Sequence, residues 1–290
     1  MAPDPRTHAA GVAGFNVDGR FSGPAGAAPA DCAHGDFFST TDADQNIGTC
    51  SEGVARGGLA CTGGVDNQLP ELIAVLSGFG TDVRREYADQ LQRGRLTLLV
   101  RVTGVDGTPG PSLNDSDVVV TAYTNVRPMF SSCAQLGAAG QPYALDTGSA
   151  ATTFTARVVN GRLIVNPPAS SMANLTLPLP VMSMSLDLPL RQAQLRMNLT
   201  PDAATAGNLG GYVALRDLTA SLRPLLPAGI PEATVQTILS SLVDVQLPMG
   251  SPSGCSLPDG AISVGYGFTA VRATVLPTRV TGRQPGMCGS

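Results

Sequence analysis

The residues best placed to do chemistry are acidic and lie near the start of the chain. Asp42-Ala-Asp-Gln-Asn-Ile-Gly sets the side-chain oxygens of Asp42, Asp44 and Asn46 at alternate positions, as the first part of a calcium loop does. The pattern then departs from an EF-hand. Ile47 stands where glycine is needed, and the bidentate Glu is missing. Asn16, Asp18, Asp66 and Asn67 supply a second set of oxygens that folding could bring to the first. The expectation is a structural calcium ion held by some of Asn16, Asp18, Asp42, Asp44, Asp66 and Asn67. Against it stands local chemistry, in which each residue serves an Asx turn or a helix cap.

Nucleophilic catalysis has less to build on. No Gly-x-Ser-x-Gly elbow is present. His34, in Cys-Ala-His-Gly-Asp, could be oriented by Asp31 or Asp36 as a general base, but no Ser or Cys is placed by sequence to receive it. No catalytic residue is therefore assigned, and a hydrolase using His34 with Asp31 or Asp36 is the alternative reading. Sugar-binding platforms are scarce, since the chain has no Trp and 4% aromatic residues. Met182 and Met184 alternate as one face of a sheet would, and Met197 fits core filling better than metal ligation. Three glycosylation sequons begin at Asn114, Asn174 and Asn198, a weak signal in so polar a chain.

Six cysteines (Cys32, Cys50, Cys61, Cys133, Cys255 and Cys288) make an even set without a Cys-x-x-Cys pair, so zinc spacing is absent. Charged residues are only 14%, against about 25% in an average soluble domain. With many Gly and Pro, this composition points to an oxidising, extracytoplasmic compartment and at least two disulfides. Proximity in sequence favours Cys255 with Cys288. The net charge of −4, with Arg as the only strong base, speaks against nucleic acid. No stretch approaches 18 apolar residues, so no transmembrane segment is expected. Met1-Ala-Pro-Asp-Pro lacks an apolar core, and the chain reads as a mature segment restarted with Met.

The elements that would position these groups are organised around residues 63–105. Leu69, Leu72, Ile73 and Leu76 form one apolar helical stripe, capped by Asp66 or Asn67. Val83, Tyr87 and Leu91 form another, which Gly94 ends. A strand follows, with Leu96, Leu98, Val100 and Val102 expected to be buried. Asn160-Gly161, between 153–159 and 162–166, predicts a type I′ hairpin. Three alternating runs come next, at 174–179, 182–190 and 195–199, with Pro178, Pro180 and Pro189 placing some of this at edges or bulges. Short helices are expected around Leu218 and after Pro231. A last strand alternates Ile262, Val264, Tyr266 and Phe268 with small residues that permit close approach of another layer. The fold class is mainly β, an antiparallel β-sandwich or strongly curved sheet with two or three short helices. Residues 1–14 read as a disordered arm and 15–290 as one β-rich domain, of which 15–62 is a Cys- and Asp-rich loop region and 63–290 the core.

Asn16-Val-Asp-Gly, then Val65-Asp-Asn-Gln-Leu-Pro-Glu-Leu running into Gly94-Arg-Leu-Thr-Leu-Leu-Val-Arg-Val, resembles uncharacterised secreted or lipid-anchored envelope proteins of myxobacteria. Leu209-Gly-Gly-Tyr-Val-Ala-Leu-Arg-Asp-Leu and Ser263-Val-Gly-Tyr-Gly-Phe-Thr-Ala-Val are also similar. The Cys-bearing insertion between Gly19 and Gly64 departs from that pattern. The resemblance implies an envelope location and no particular chemistry. Function is expected to be non-enzymatic: binding of a ligand, a polymer or an envelope partner through loops. An apolar-ligand carrier would instead show a deep cavity lined by Leu and Met.

Overall fold

The computed structural model describes residues 15, 17, 67–78, 82–94, 96–130, 132–165, 175–181, 184–225, 231–246 and 260–281. Among the described residues the protein is mainly β, 48% strand, most of it in a curled antiparallel sheet, with four short helices, one or two more than the sequence suggests. The helices are α1 (Leu69–Gly78), α2 (Val83–Gln92), α3 (Leu215–Leu222) and α4 (Glu232–Ser240). The strands are β1 (Leu99–Thr103), β2 (Asp115–Tyr123), β3 (Val126–Pro128), β4 (Gln141–Leu145), β5 (Ala151–Val159), β6 (Arg162–Val165), β7 (Leu175–Val181), β8 (Met184–Leu199), β9 (Ala203–Ala214), β10 (Val245–Gln246), β11 (Gly260–Val271) and β12 (Ala273–Val275). Nine of them form one sheet in the order β1-β2-β5-β6-β8-β9-β11-β10, with β7 beside β8; β12-β4-β3 form a second. Two compact units emerge. One comprises Met1–Gly80, Leu188–Gln194 and Asn208–Gly267, the other Thr81–Asp187, Leu195–Gly207 and Phe268–Ser290.

In the second unit the core face of the large sheet can be read row by row. Val118, Ala156, Val165 and Leu195 face one another across β2, β5, β6 and β8, and Val158, Leu163 and Met197 make the next row. All seven are buried. Asn160 (φ 50°) and Gly161 (φ 77°) make the two-residue turn, with Val159 opposite Arg162. The alternation predicted there therefore becomes a hairpin in the register its turn dictates. Pro178 lies in β7, which among the described residues pairs with β8 alone, so its missing N–H interrupts no described ladder on a second side.

The first strand differs from expectation. β1 begins at Leu99, and Leu99 is its buried residue, while Leu96, Leu98, Val100 and Val102 are only half-buried. The cause is the three-stranded sheet. Leu99 packs with Val126, Phe130 and Tyr143 beneath that second layer, with Phe130 and Tyr143 edge to face at 5.6 Å. Val100 and Val102 lie opposite Ala122 and Val120 on the other face of an edge strand, where cover is incomplete. In α2, Val83 is buried but Leu91 is 44% exposed, so the predicted stripe covers less than its full length. Gly94 ends the helix as expected, at φ 67° with its N–H on the Leu91 carbonyl.

In the first unit, Leu69, Leu72 and Leu76 of α1 are buried and Ile73 is half-buried. Phe15 and Val17 pack with Tyr212, Val245 and Ala261. Gly210 belongs to this packing, because a Cβ there would stand 2.7 Å from the Phe15 ring. Leu215, Leu218 and Leu222 of α3 and Val235 and Leu239 of α4 are also buried.

Candidate functional site

Of the six residues expected to bind calcium, Asn67 alone lies among the described residues. Asn16, Asp18, Asp42, Asp44 and Asp66 lie outside the described residues, as do His34, Asp31 and Asp36. Of the cysteines, Cys32, Cys50, Cys61, Cys255 and Cys288 also lie outside them, and Cys133 opens a 3-10 turn, Cys133–Gln135. Among the described residues, no three His, Cys, Asp or Glu side chains are grouped to hold a metal. No helix among them is long and apolar enough to cross a membrane.

Asn67 is the described member of the calcium set, and its carboxamide is committed to backbone. The Oδ1 atom accepts from the Leu69 N–H at 3.1 Å and from the Gly265 N–H at 3.1 Å, and Nδ2 donates to the Gly265 carbonyl at 3.2 Å. Asn67 thus joins the start of α1 to β11 at the backbone of Gly265. Gln68 continues the junction. Its N–H donates to the Ser263 carbonyl and hydroxyl, each at 3.1 Å. Ser263, fully buried, donates its own N–H to Asp244 Oδ1 at 2.8 Å and its hydroxyl to Asp244 Oδ2. Ser263 thus gives both of its donors to a buried carboxylate, which has the form of a structural lock.

The second unit holds a groove of about 440 Å³ lined by Arg101, Tyr123, Leu145, Val275, Leu276 and Pro277. Three pieces build it. Register places Arg101 opposite Thr121 and Leu99 opposite Tyr123, so Arg101 and Tyr123 share one face of the large sheet. Thr121 and Thr153 hydroxyls, 3.3 Å apart, continue this face onto β5. Leu145 ends β4, and β12 runs parallel to it, delivering Val275 opposite Tyr143 and then Leu276 and Pro277. Leu276 is fixed by its N–H on the Tyr143 carbonyl at 2.8 Å.

Electrostatics at the groove are asymmetric. Asp146, next to Leu145, is paired with Arg127. The Gly148 N–H, and then Arg127, hold its carboxyl below the ordinary value. Arg101 is exposed and forms no ion pair with a carboxylate of the described residues. Burial raises the Tyr143 phenol, which remains neutral at physiological pH. The groove therefore offers one guanidinium beside a wall of aromatic and aliphatic carbon. Such a site can hold an anionic head and an apolar body; its described lining residues include no Ser, Cys, His or carboxylate. Sequence reasoning did not find it, because its residues come from β1, β2, β4 and the end of β12. The one local signal was the arginine between Val100 and Val102 of β1. No family model, no curated protein and no solved structure matches the chain.

Proposed function

We propose that this chain is a non-enzymatic, extracytoplasmic binding protein whose groove takes an anionic amphiphile. The observation that carries the reading is Arg101, exposed, without an ion pair among the described residues and lining a mainly apolar cleft. The cleft volume of about 440 Å³ falls within the range of roughly 300–1,000 Å³ typical of small-molecule sites. A carboxylate, sulfonate or phosphate would take a charge-assisted hydrogen bond from the guanidinium. Its hydrocarbon would cover Tyr123, Leu145 and Val275, the last 43% exposed. An envelope location, suggested by the low charge content, the cysteine count and the myxobacterial resemblance, would put the groove in contact with lipid-derived ligands.

The test uses 1-anilinonaphthalene-8-sulfonate as an anionic, apolar probe, with dodecanoate and dodecanol as competitors. Dodecanoate displaces the dye, dodecanol does not, and Arg101→Glu weakens both anions by tenfold or more. That factor corresponds to roughly 1.4 kcal/mol, within the range of one charge-assisted contact. Equal affinity in wild type and Arg101→Glu would remove the groove from the reading. The rival hydrolase is checked on esterase, protease and glycosidase substrates. Turnover that disappears in His34→Ala would replace binding with catalysis.

A further inference from the structure

We propose that the start of α1 binds a calcium ion through Gln68 Oε1 and Glu71 Oε2. The inference begins from two oxygens with nothing to accept. Gln68 is 3% exposed, and its Oε1 is buried with no hydrogen-bond donor. Glu71 Oε2 is likewise buried and without a donor. The two residues are three apart at the helix start, where side chains at the N-cap and third positions lean toward each other.

Their lack of donors has a definite cause. A Glu at the third position of a helix commonly folds back to accept the N-cap backbone N–H. Gln68 is the N-cap by position, since its carbonyl accepts the Leu72 N–H at 2.9 Å. Its own N–H, however, is turned onto Ser263 of β11. Asn67, the adjacent candidate, turns Nδ2 to the Gly265 carbonyl and Oδ1 to the Leu69 and Gly265 N–H groups. The lock on β11 thereby removes the donor that Glu71 would have used. An amide oxygen and a carboxylate oxygen remain, both acceptors.

Leaving buried acceptors unpaired is costly, and a hard cation that takes oxygen ligands satisfies both at once. The partial positive charge of the helix start opposes a cation; the full negative charge of Glu71 outweighs it. Glu71 is only half-buried, which leaves a route for the ion and for the waters that complete its shell. The expected calcium site is thus shifted by one to four positions along the chain, from Asn67 to Gln68 and Glu71. In sequence, Asp66 immediately precedes this pair and Asn67.

The full chain is melted in EDTA, in about 10 mM calcium and in about 10 mM magnesium, and calcium binding is followed by calorimetry. A site of roughly millimolar affinity raises the midpoint by about 2–4 °C at that calcium concentration. Magnesium, which sheds water reluctantly, gives a smaller rise. Glu71→Gln introduces an amide donor for Gln68 Oε1, so its melt in EDTA is at least as high as wild type while the calcium response is lost. Gln68→Glu places two carboxylates together, lowering the EDTA melt and enlarging the calcium response. Glu232→Gln, at an exposed position in the first turn of α4, leaves the calcium response intact. Superimposable wild-type melts with and without calcium would overturn the proposal, as would a full calcium response in Glu71→Gln. A magnesium response equal to that of calcium would overturn the choice of ion.

Discussion

Replacing Asn67 with alanine separates a structural clamp from a metal ligand. The wild-type carboxamide satisfies three backbone groups: the Leu69 N–H, the Gly265 N–H and the Gly265 carbonyl. Each bond contributes about 0.5–1.5 kcal/mol net, and a buried group left unpaired costs more than the average bond returns. The side chain is 5% exposed, so water cannot freely replace it. The loss should therefore be roughly 3–5 kcal/mol. Against a total stability of about 5–15 kcal/mol, that is enough to shift a urea midpoint visibly. Urea unfolding in EDTA and again in calcium should show the same loss, with the slope unchanged.

Asn67→Asp sharpens the comparison. It keeps an acceptor for the two N–H groups but sets a second carboxylate oxygen against the Gly265 carbonyl, where the amide had donated. Burying that charge beside a carbonyl is unfavourable, and the variant should be no more stable than Asn67→Ala. If Asn67 instead ligated calcium, the aspartate would be the better ligand, and calcium would raise its stability above wild type. A loss under about 1 kcal/mol for Asn67→Ala in EDTA would refute the clamp. So would a calcium-dependent gain in Asn67→Asp.

Two further outcomes follow from local geometry and charge. Gly161→Ala should cost about 3 kcal/mol or more by chemical denaturation, because φ is +77° and the new Cβ would press on the Gly110 carbonyl and sit 2.9 Å from Pro111 Cα. Gly137→Ala, at φ +78° with open space around it, should cost only about 1–2 kcal/mol; equal costs would mean that the neighbouring backbone yields. Asp115 is held below its ordinary value by the Asp106 and Asp117 N–H groups, and Asp146 by the Gly148 N–H and then Arg127. A lowered folded-state value gives stability that is present above the unfolded carboxylate range and is lost as pH falls through the folded value. Unfolding midpoints between about pH 5 and pH 2 should therefore fall less steeply in Asp115→Asn and Asp146→Asn than in wild type, and parallel acid limbs would contradict the assignment.

How far the sequence discloses the fold depends on whether a residue's task is set nearby or across the chain. Asn160-Gly161 discloses its hairpin because both positive φ angles are properties of those two residues. The runs at 182–190 and 195–199 disclose two faces of opposite parity but not that they are one strand. Their fusion into β8 depends on Gln192, whose φ of 47° offsets the alternation in mid-strand, so burial passes from Leu186, Leu188 and Leu190 to Ala193, Leu195 and Met197. The small sheet was illegible, since β3 and β12 are three residues each, too short to show a period of two. That omission propagated. Without the second layer, nothing favoured Leu99 over its neighbours, and nothing brought Val275 near Arg101. The same reasoning explains why Asn67 stood out and Gln68 did not. Asparagine beside a helix start is a local signal for a cap or a ligand. The donor that Glu71 lacks was taken by Ser263, 195 residues further along the chain from Gln68. Sequence displays the groups that can bind; the long-range pairings decide which of them are left with something to bind.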